Sequence, residues 1–218
     1  MKNGLILILL ILSPICTAKT YFVSSEGNDS YPGTLTQPWF TWRKAATTAV
    51  AGDTVFFRGG IYYYPTVNSM GGTMNSGTET NPICFFNYPG EEPIFDLSLA
   101  PKGSYNYFVV AQYCEWVEFD SLTVRNAVED NLGDIITAFY VYKANNILIT
   151  NCKAYNIGGQ GFGIYGSNEV RVKNCDAWNL CDSLAFNPGQ NGVGFQWNLN
   201  ADLFPGEDMY NARVYFEG

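Results

Sequence analysis

One strand-sized pattern returns three times in this chain and limits its fold more than any other feature. It reads W-V-E-F-D-S-L-T-V-R-N at residues 116–126, N-I-L-I-T-N-C-K-A-Y-N at 146–156 and E-V-R-V-K-N-C-D-A-W-N at 169–179, with offsets of 30 and 23 residues. Val117, Ile147 and Val170 fall in register, as do Phe119, Ile149 and Val172, then Leu122, Cys152 and Cys175, then Val124, Ala154 and Ala177. Apolar residues at every second position mark a strand with one buried face. A period of a few tens of residues marks stacked units, and one short unit cannot bury its inner face without neighbours. The pattern predicts an all-β chain, a parallel β-helix with equivalent side chains piled about 4.8 Å apart in each wall.

Each copy breaks step at a polar pair such as Thr150-Asn151 or Lys173-Asn174 and ends on Asn126, Asn156 or Asn179. The polar pairs predict sharp corners, because Asn tolerates the left-handed backbone that a corner needs. The terminal asparagines predict either an internal amide stack hydrogen-bonded along the axis or separate turn residues at the surface. Ile83 and Phe85 match Val117 and Phe119, while 138–142 and 162–165 read as further wall strands. Extra residues in some turns, such as 128–133, become loops on one face, where solenoids place their binding sites.

Ahead of the repeats, 21–23 reads as a short strand, 24–34 as a turn-rich loop and 39–50 as a helix with Trp42, Ala45, Ala46 and Ala49 on one face. That helix is expected to cap the open end of the stack, whose first strand is 54–57. Residues 1–18 carry a short basic start, an aliphatic run and small residues at the end, which predicts a secretory signal peptide. The organisation expected is therefore signal peptide 1–18, N-terminal cap 19–53 and β-helix 54–218. Val214 and Phe216 open another copy, so the last rung is expected to be incomplete.

Net charge is −8, and −9 once Lys2 leaves with the signal segment. An acidic chain lacks the basic footprint of a nucleic-acid binder. No second segment is long and apolar enough to span a membrane, and the chain is read as a monomer. Of six cysteines, Cys84, Cys114, Cys152, Cys175 and Cys181 follow Cys16. Their odd number leaves at least one outside any intramolecular disulfide. Cys152 and Cys175 read as small core residues, with a bridge between them left open.

The opening Y-F-V-S-S-E-G-N-D-S-Y-P-G-T-L-T-Q-P-W-F-T-W-R-K-A, the segment A-G-D-T-V-F-F-R-G-G-I-Y, the phrase N-P-I-C-F-F-N-Y-P-G-E-E-P-I-F-D and the N-x-C-x-A-[YW]-N copies occur together in this chain. They resemble secreted right-handed parallel β-helix proteins of the pectate lyase superfamily, in particular the family 9 polysaccharide lyases. The resemblance implies calcium-assisted β-elimination on an acidic polysaccharide. A cation held by aspartates would bind the substrate carboxylate and acidify the adjacent C–H. A Lys or Arg would then take the proton. This chemistry needs no histidine, and the chain has none. A Ser-His-Asp hydrolase and a His-ligated metal are excluded.

Carried over residue by residue, the family's N-A-D-G-F segment falls on N-G-V-G-F at 191–195, with Val193 where a calcium-ligating Asp would stand. The other ligands and the base are expected past Gly218, so the 218-residue chain is expected to show no calcium-dependent lyase activity. Asp182 is the candidate metal ligand nearest the altered segment, with a turn aspartate as the competing reading. Asp202, Glu207 and Asp208 form an acidic loop, and Asp130 and Asp134 flank a glycine turn. Trp178, Trp197 and Tyr155 are candidate sugar-stacking residues at outward or loop positions. Asn28-Asp29-Ser30 is either a glycosylation sequon or a turn. Two other functions remain open on the same scaffold: a non-catalytic polysaccharide-binding or surface protein, and a glycoside hydrolase or epimerase.

Overall fold

A computed structural model describes residues 17–64, 74–100, 105–129, 135–184, 186–187, 189, 191–198 and 213–218. Most of the proposed signal segment lies outside these residues, as do Asp130, Asp134, Asp202, Glu207 and Asp208. The described strands form three walls, all paired in parallel. Wall I stacks β1 (Thr20–Val23), β2 (Thr54–Phe57), β4 (Ile83–Asn87), β7 (Glu115–Asp120), β10 (Asn145–Thr150), β13 (Asn168–Lys173) and β16 (Val214–Glu217). Wall II stacks β3 (Gly60–Tyr63), β5 (Pro93–Asp96), β8 (Thr123–Ala127), β11 (Lys153–Ile157) and β14 (Asp176–Leu180). Wall III stacks β6 (Tyr105–Gln112), β9 (Ile135–Tyr142), β12 (Gly159–Tyr165) and β15 (Phe195–Asn198). The chain visits walls I, II and III in turn and climbs one rung per circuit, which makes a parallel β-helix.

The predicted register holds. Ile83, Val117, Ile147, Val170 and Val214 form one inward column of wall I, and Val55, Phe85, Phe119, Ile149, Val172 and Phe216 the other. Phe95, Val124, Ala154 and Ala177 line wall II. Phe139, Phe162 and Phe195 stack in wall III at centroid spacings of 4.7 and 4.9 Å. Ring-on-ring columns remove apolar area from water at every rung, about 25 cal/mol per Å². Cys152 is buried and free like the other described cysteines, and its backbone N–H donates to Cys175 Sγ at 3.3 Å.

Corners are made by left-handed residues that recur at each rung. Ser121, Asn151 and Asn174 have φ of 55°, 53° and 50° between walls I and II, and Asn126, Asn156 and Asn179 have 59°, 56° and 51° where wall II bends. The asparagine stack forms: Asn179 Nδ2 donates to Asn156 Oδ1 at 2.6 Å, and Asn156 Nδ2 to Asn126 Oδ1 at 3.0 Å. It lies outside the helix, with Asn156 and Asn179 exposed, which corrects the internal placement. The column ends on Asp96, whose Oδ2 accepts from Asn126 Nδ2 at 2.8 Å and from Arg125 Nε at 2.8 Å.

The helix is shorter than predicted. It spans α1 (Trp42–Thr48), because Thr41 takes the N-cap and accepts from Lys44 N, while Trp39 bridges to Val23 as extended chain. Asp29 holds that cap, accepting from Phe40 N, Thr41 N and Thr41 Oγ1. The Trp42 ring enters the interior and packs 5.2–6.1 Å from Phe57, Phe85, Phe95 and Phe119. Strand β1 pairs with β2, so wall I begins one strand before Thr54.

Candidate functional site

The outer face of wall III is polar and aromatic. Strand β12 is glycine-rich because side chains converge on it: a Cβ on Gly163 would meet Gln160 Oε1 at 2.6 Å and Tyr165 Cε2 at 2.8 Å. Gln160 is buried at the hub of this cluster. It accepts from Thr137 Oγ1 at 3.2 Å and from the Tyr165 hydroxyl, and its Nε2 donates to Gln196 Oε1 at 2.6 Å. Tyr140 stacks on Tyr107 at 3.8 Å and lies 5.5 Å from Tyr165. Burial, then the neighbouring Tyr107, pushes the Tyr140 phenol up, so it stays a neutral donor. Tyr140 and Tyr142 are foreshadowed by the alternation F-Y-V-Y, whose other members, Phe139 and Val141, point inward. Nothing in sequence singled out Gln160 or Gln196.

Asp182 sits on the loop that joins wall II to wall III ahead of β15. It is fully buried and faces Glu129, itself 5% exposed, at the end of the turn after β8. Asp182 Oδ2 accepts from Asn191 N at 2.9 Å; Glu129 Oε2 accepts from Leu184 N at 2.9 Å and Ser183 Oγ at 3.3 Å. Burial, then the adjacent Asp182, raises the pKa of Glu129. Glu129 carried no signal in sequence, since its partner comes from another rung. Val193 is half-buried, and its carbonyl accepts from Gly161 N at 3.0 Å. Its side chain has no oxygen to offer, and among the described residues no three His, Cys, Asp or Glu side chains cluster to hold a metal. The aspartate-clustered calcium site implied by the resemblance therefore does not fit the residues around Val193.

The expected aromatics are split between walls. Trp178 stacks on Tyr155 at 4.5 Å on the outer face of wall II, continuing the column from Arg125. Trp197 follows Val141 and Ile164 in the inward register of wall III, and on the last described rung of that wall it is 44% exposed. Asn28 Oδ1 accepts from Ser30 N at 2.9 Å and Ser30 Oγ at 2.8 Å, as in a turn. A second concavity, about 260 Å³, lies on wall I between Trp116, Glu118, Asn146 and Arg171.

Known proteins share this architecture. The family described as the Pel9A-like, right-handed beta helix region matches residues 21–215. The chain belongs to that family. Its walls therefore wind in the right-handed sense, as expected. Pectate lyase PEL9 of Emericella nidulans is 36% identical over 85 residues, which cover 39% of this chain and 20% of that protein. The uncharacterized protein YwoF of Bacillus subtilis is 37% identical over 73 residues, 34% of this chain and 14% of that one. A solved rhamnogalacturonan lyase superposes with a TM-score of 0.79 at 27% identity, over 92% of this chain and 51% of that one. The GH136 lacto-N-biosidase of Eubacterium ramulus, at 15% identity and TM-score 0.60 over 90% of this chain and 40% of that one, shares the fold. This chain thus spans about half of the rhamnogalacturonan lyase and a fifth or less of the two curated relatives.

Proposed function

We propose that this Pel9A-like β-helix is a carbohydrate-active module that engages an acidic polysaccharide along wall III. Pectate-lyase-like β-elimination is the leading activity proposed for the protein. The family match across residues 21–215 carries the reading. The outer face of wall III supports it locally: Tyr140, Tyr142 and Tyr165 pack into a half-buried aromatic patch, and Gln160 and Gln196 fix an amide pair beside it. Trp178 on wall II is the second platform.

Calcium is the cofactor that elimination of this kind would use, where it supports the charge that develops on the uronate. Val193 removes one of the side chains that would hold it, so no step through calcium is assigned to this chain. The non-catalytic binding module is the second reading, and Val193 is the observation that favours it. The proposal includes export through residues 1–18 and action as a monomer. No described helix is long and apolar enough to cross a membrane.

The test is to incubate the 218-residue chain with polygalacturonate and with rhamnogalacturonan, with and without calcium, following the ultraviolet absorbance of unsaturated uronate and, separately, retention on the immobilised polymers. Retention without absorbance is the expected result. Chelator-sensitive absorbance would show that the chain assembles a site without an aspartate at position 193. Failure to bind either polymer would remove the carbohydrate reading of this chain. Sequencing past codon 218 decides between the two functional readings: an N-S-D-D-G-like segment followed by a Lys supports the lyase, and its absence the binding module.

A further inference from the structure

A hollow of about 260 Å³ on the outer face of wall I is lined by Trp116, Glu118, Asn146, Leu148 and Arg171. Left-handed backbone shapes it. Trp116, Asn146 and Glu169 take φ of 56°, 56° and 52° at the same place on three successive rungs, which bends each strand there. Asn is at ease in that conformation and Trp is not, and side chains held against backbone preference gather at ligand clamps. Glu118, Leu148 and Arg171 are direct neighbours in β7, β10 and β13. An acid and a base therefore stand two rungs apart, about 10 Å, across an apolar residue. Elsewhere on this face polar side chains bond along the stack: Asn151 Nδ2 donates to Asp120 Oδ1 at 2.6 Å, Lys173 pairs with Glu217 at 2.9 Å and Arg213 with Glu169 at 3.1 Å. Around the hollow they do not. Among the described residues the Glu118 carboxyl accepts no hydrogen bond, while burial, then Asp120, raises its pKa. Arg171 makes no ion pair among them either, and its guanidinium lies 4.9 Å over the Tyr215 ring, which holds it in place with its N–H donors open.

We propose that this hollow is a binding site for an uncharged sugar residue of a polysaccharide, separate from wall III. Its occupant must present an apolar face to Trp116 and Leu148, hydroxyl donors to Glu118, and oxygen acceptors to Arg171 and the Asn146 amide. A pyranose ring supplies all three at once. The opposite charges of Glu118 and Arg171 cancel across the hollow, so the site selects no net charge, unlike a face that takes an acidic polymer. The hollow is smaller than the roughly 300–1,000 Å³ of sites for drug-sized ligands, which limits the occupant to a ring or two. The inference shares the carbohydrate reading of the chain but needs neither lyase activity nor binding at wall III.

The experiment is affinity electrophoresis of the 218-residue chain in gels containing an uncharged polysaccharide, with galactan, xylan and mannan as the probes and polygalacturonate run in parallel. The parent chain is expected to be retarded by at least one uncharged probe. Trp116→Asn removes the ring and places at 116 the residue that the next rung carries at 146, so it should be at least as stable as the parent in urea yet bind that probe at least tenfold more weakly. Glu118→Ala, a change on the outer face, should weaken binding similarly and serves alone if Trp116→Asn does not fold. Retention on polygalacturonate should be the same in both variants as in the parent, and its absence from all three chains would count against wall III and not against the hollow. A parent chain retarded by none of the uncharged probes overturns the proposal, as does undiminished binding in either folded variant. Loss confined to Tyr140→Ala or Trp178→Ala would assign the uncharged sugar to another wall and also overturn it.

Discussion

Asn156 occupies the middle of the outer amide column, where it both donates to Asn126 and accepts from Asn179 while holding φ at 56°. Replacing it with Ala removes two hydrogen bonds and places a Cβ residue without a local partner in the left-handed region. The expected destabilisation is about 1–3 kcal/mol, with Asn156→Gly recovering only the backbone part. Urea unfolding of both variants checks this, and equal stability of the Ala and parent chains would show that the column contributes nothing. Asp96 terminates the same column. Burial raises its pKa, but the hydrogen bonds from Ser98, Arg125 and Asn126 outweigh burial and hold it below the ordinary 3.8. A depressed carboxyl contributes stability that is fully present above its unfolded value and is lost as pH falls through its folded value. The parent chain should therefore lose stability as pH drops below about 3.8, and Asp96→Asn should flatten that part of the profile. The asparagine periodicity was visible in sequence because every copy ends on the same residue. That the stack lies outside the walls was not, since the left-handed bend turns each side chain outward after a run of regular alternation. Trp116 and Glu169 were equally illegible: both hold positive φ, 56° and 52°, although neither side chain favours it. Backbone pairing between rungs overrides their propensity.

At the scale of elements, alternation within each copy specified walls I and II residue by residue, because one face of each strand is apolar and the other polar. Wall III was legible only as isolated strands. Its inward residues include the consecutive pair Ala138 and Phe139, so the strand bends and strict alternation is lost. The cap shows a similar limit. The apolar face of α1 was readable from the spacing of Trp42, Ala45, Ala46 and Ala49, but its start was displaced by the Asp29–Thr41 contact, which joins residues 12 apart in a loop. Trp42 binds the cap to the stack by packing on four rings of walls I and II. Trp42→Ala should lower stability by about 3–5 kcal/mol, measured by denaturant unfolding. Trp42→Phe should cost much less, because the indole N–H it removes is buried and has no hydrogen-bond partner. Similar losses for the two variants would mean that filling the lumen is not what the ring does.

For the whole molecule, repetition explains both what sequence disclosed and what it withheld. A stacked fold repeats its core, so the core is written several times and can be read. A binding face is assembled once, from residues of different rungs and from loops of unequal length, so Glu129 meets Asp182 and Gln160 meets Gln196 with no local pattern to announce either pair. Val193 was informative for the opposite reason, since it stands at one position of a motif that resemblance supplied. Wall III is the proposed polysaccharide-binding face. The measurement that tests this most directly is retention of the chain on immobilised polygalacturonate and rhamnogalacturonan, compared with Tyr140→Ala, Gln196→Ala and Trp178→Ala. Retention is predicted for the parent chain, with at least tenfold weaker binding in the two wall III variants and a smaller loss in Trp178→Ala. Unchanged binding in both wall III variants, with loss confined to Trp178→Ala, would contradict the account and move the binding face to wall II.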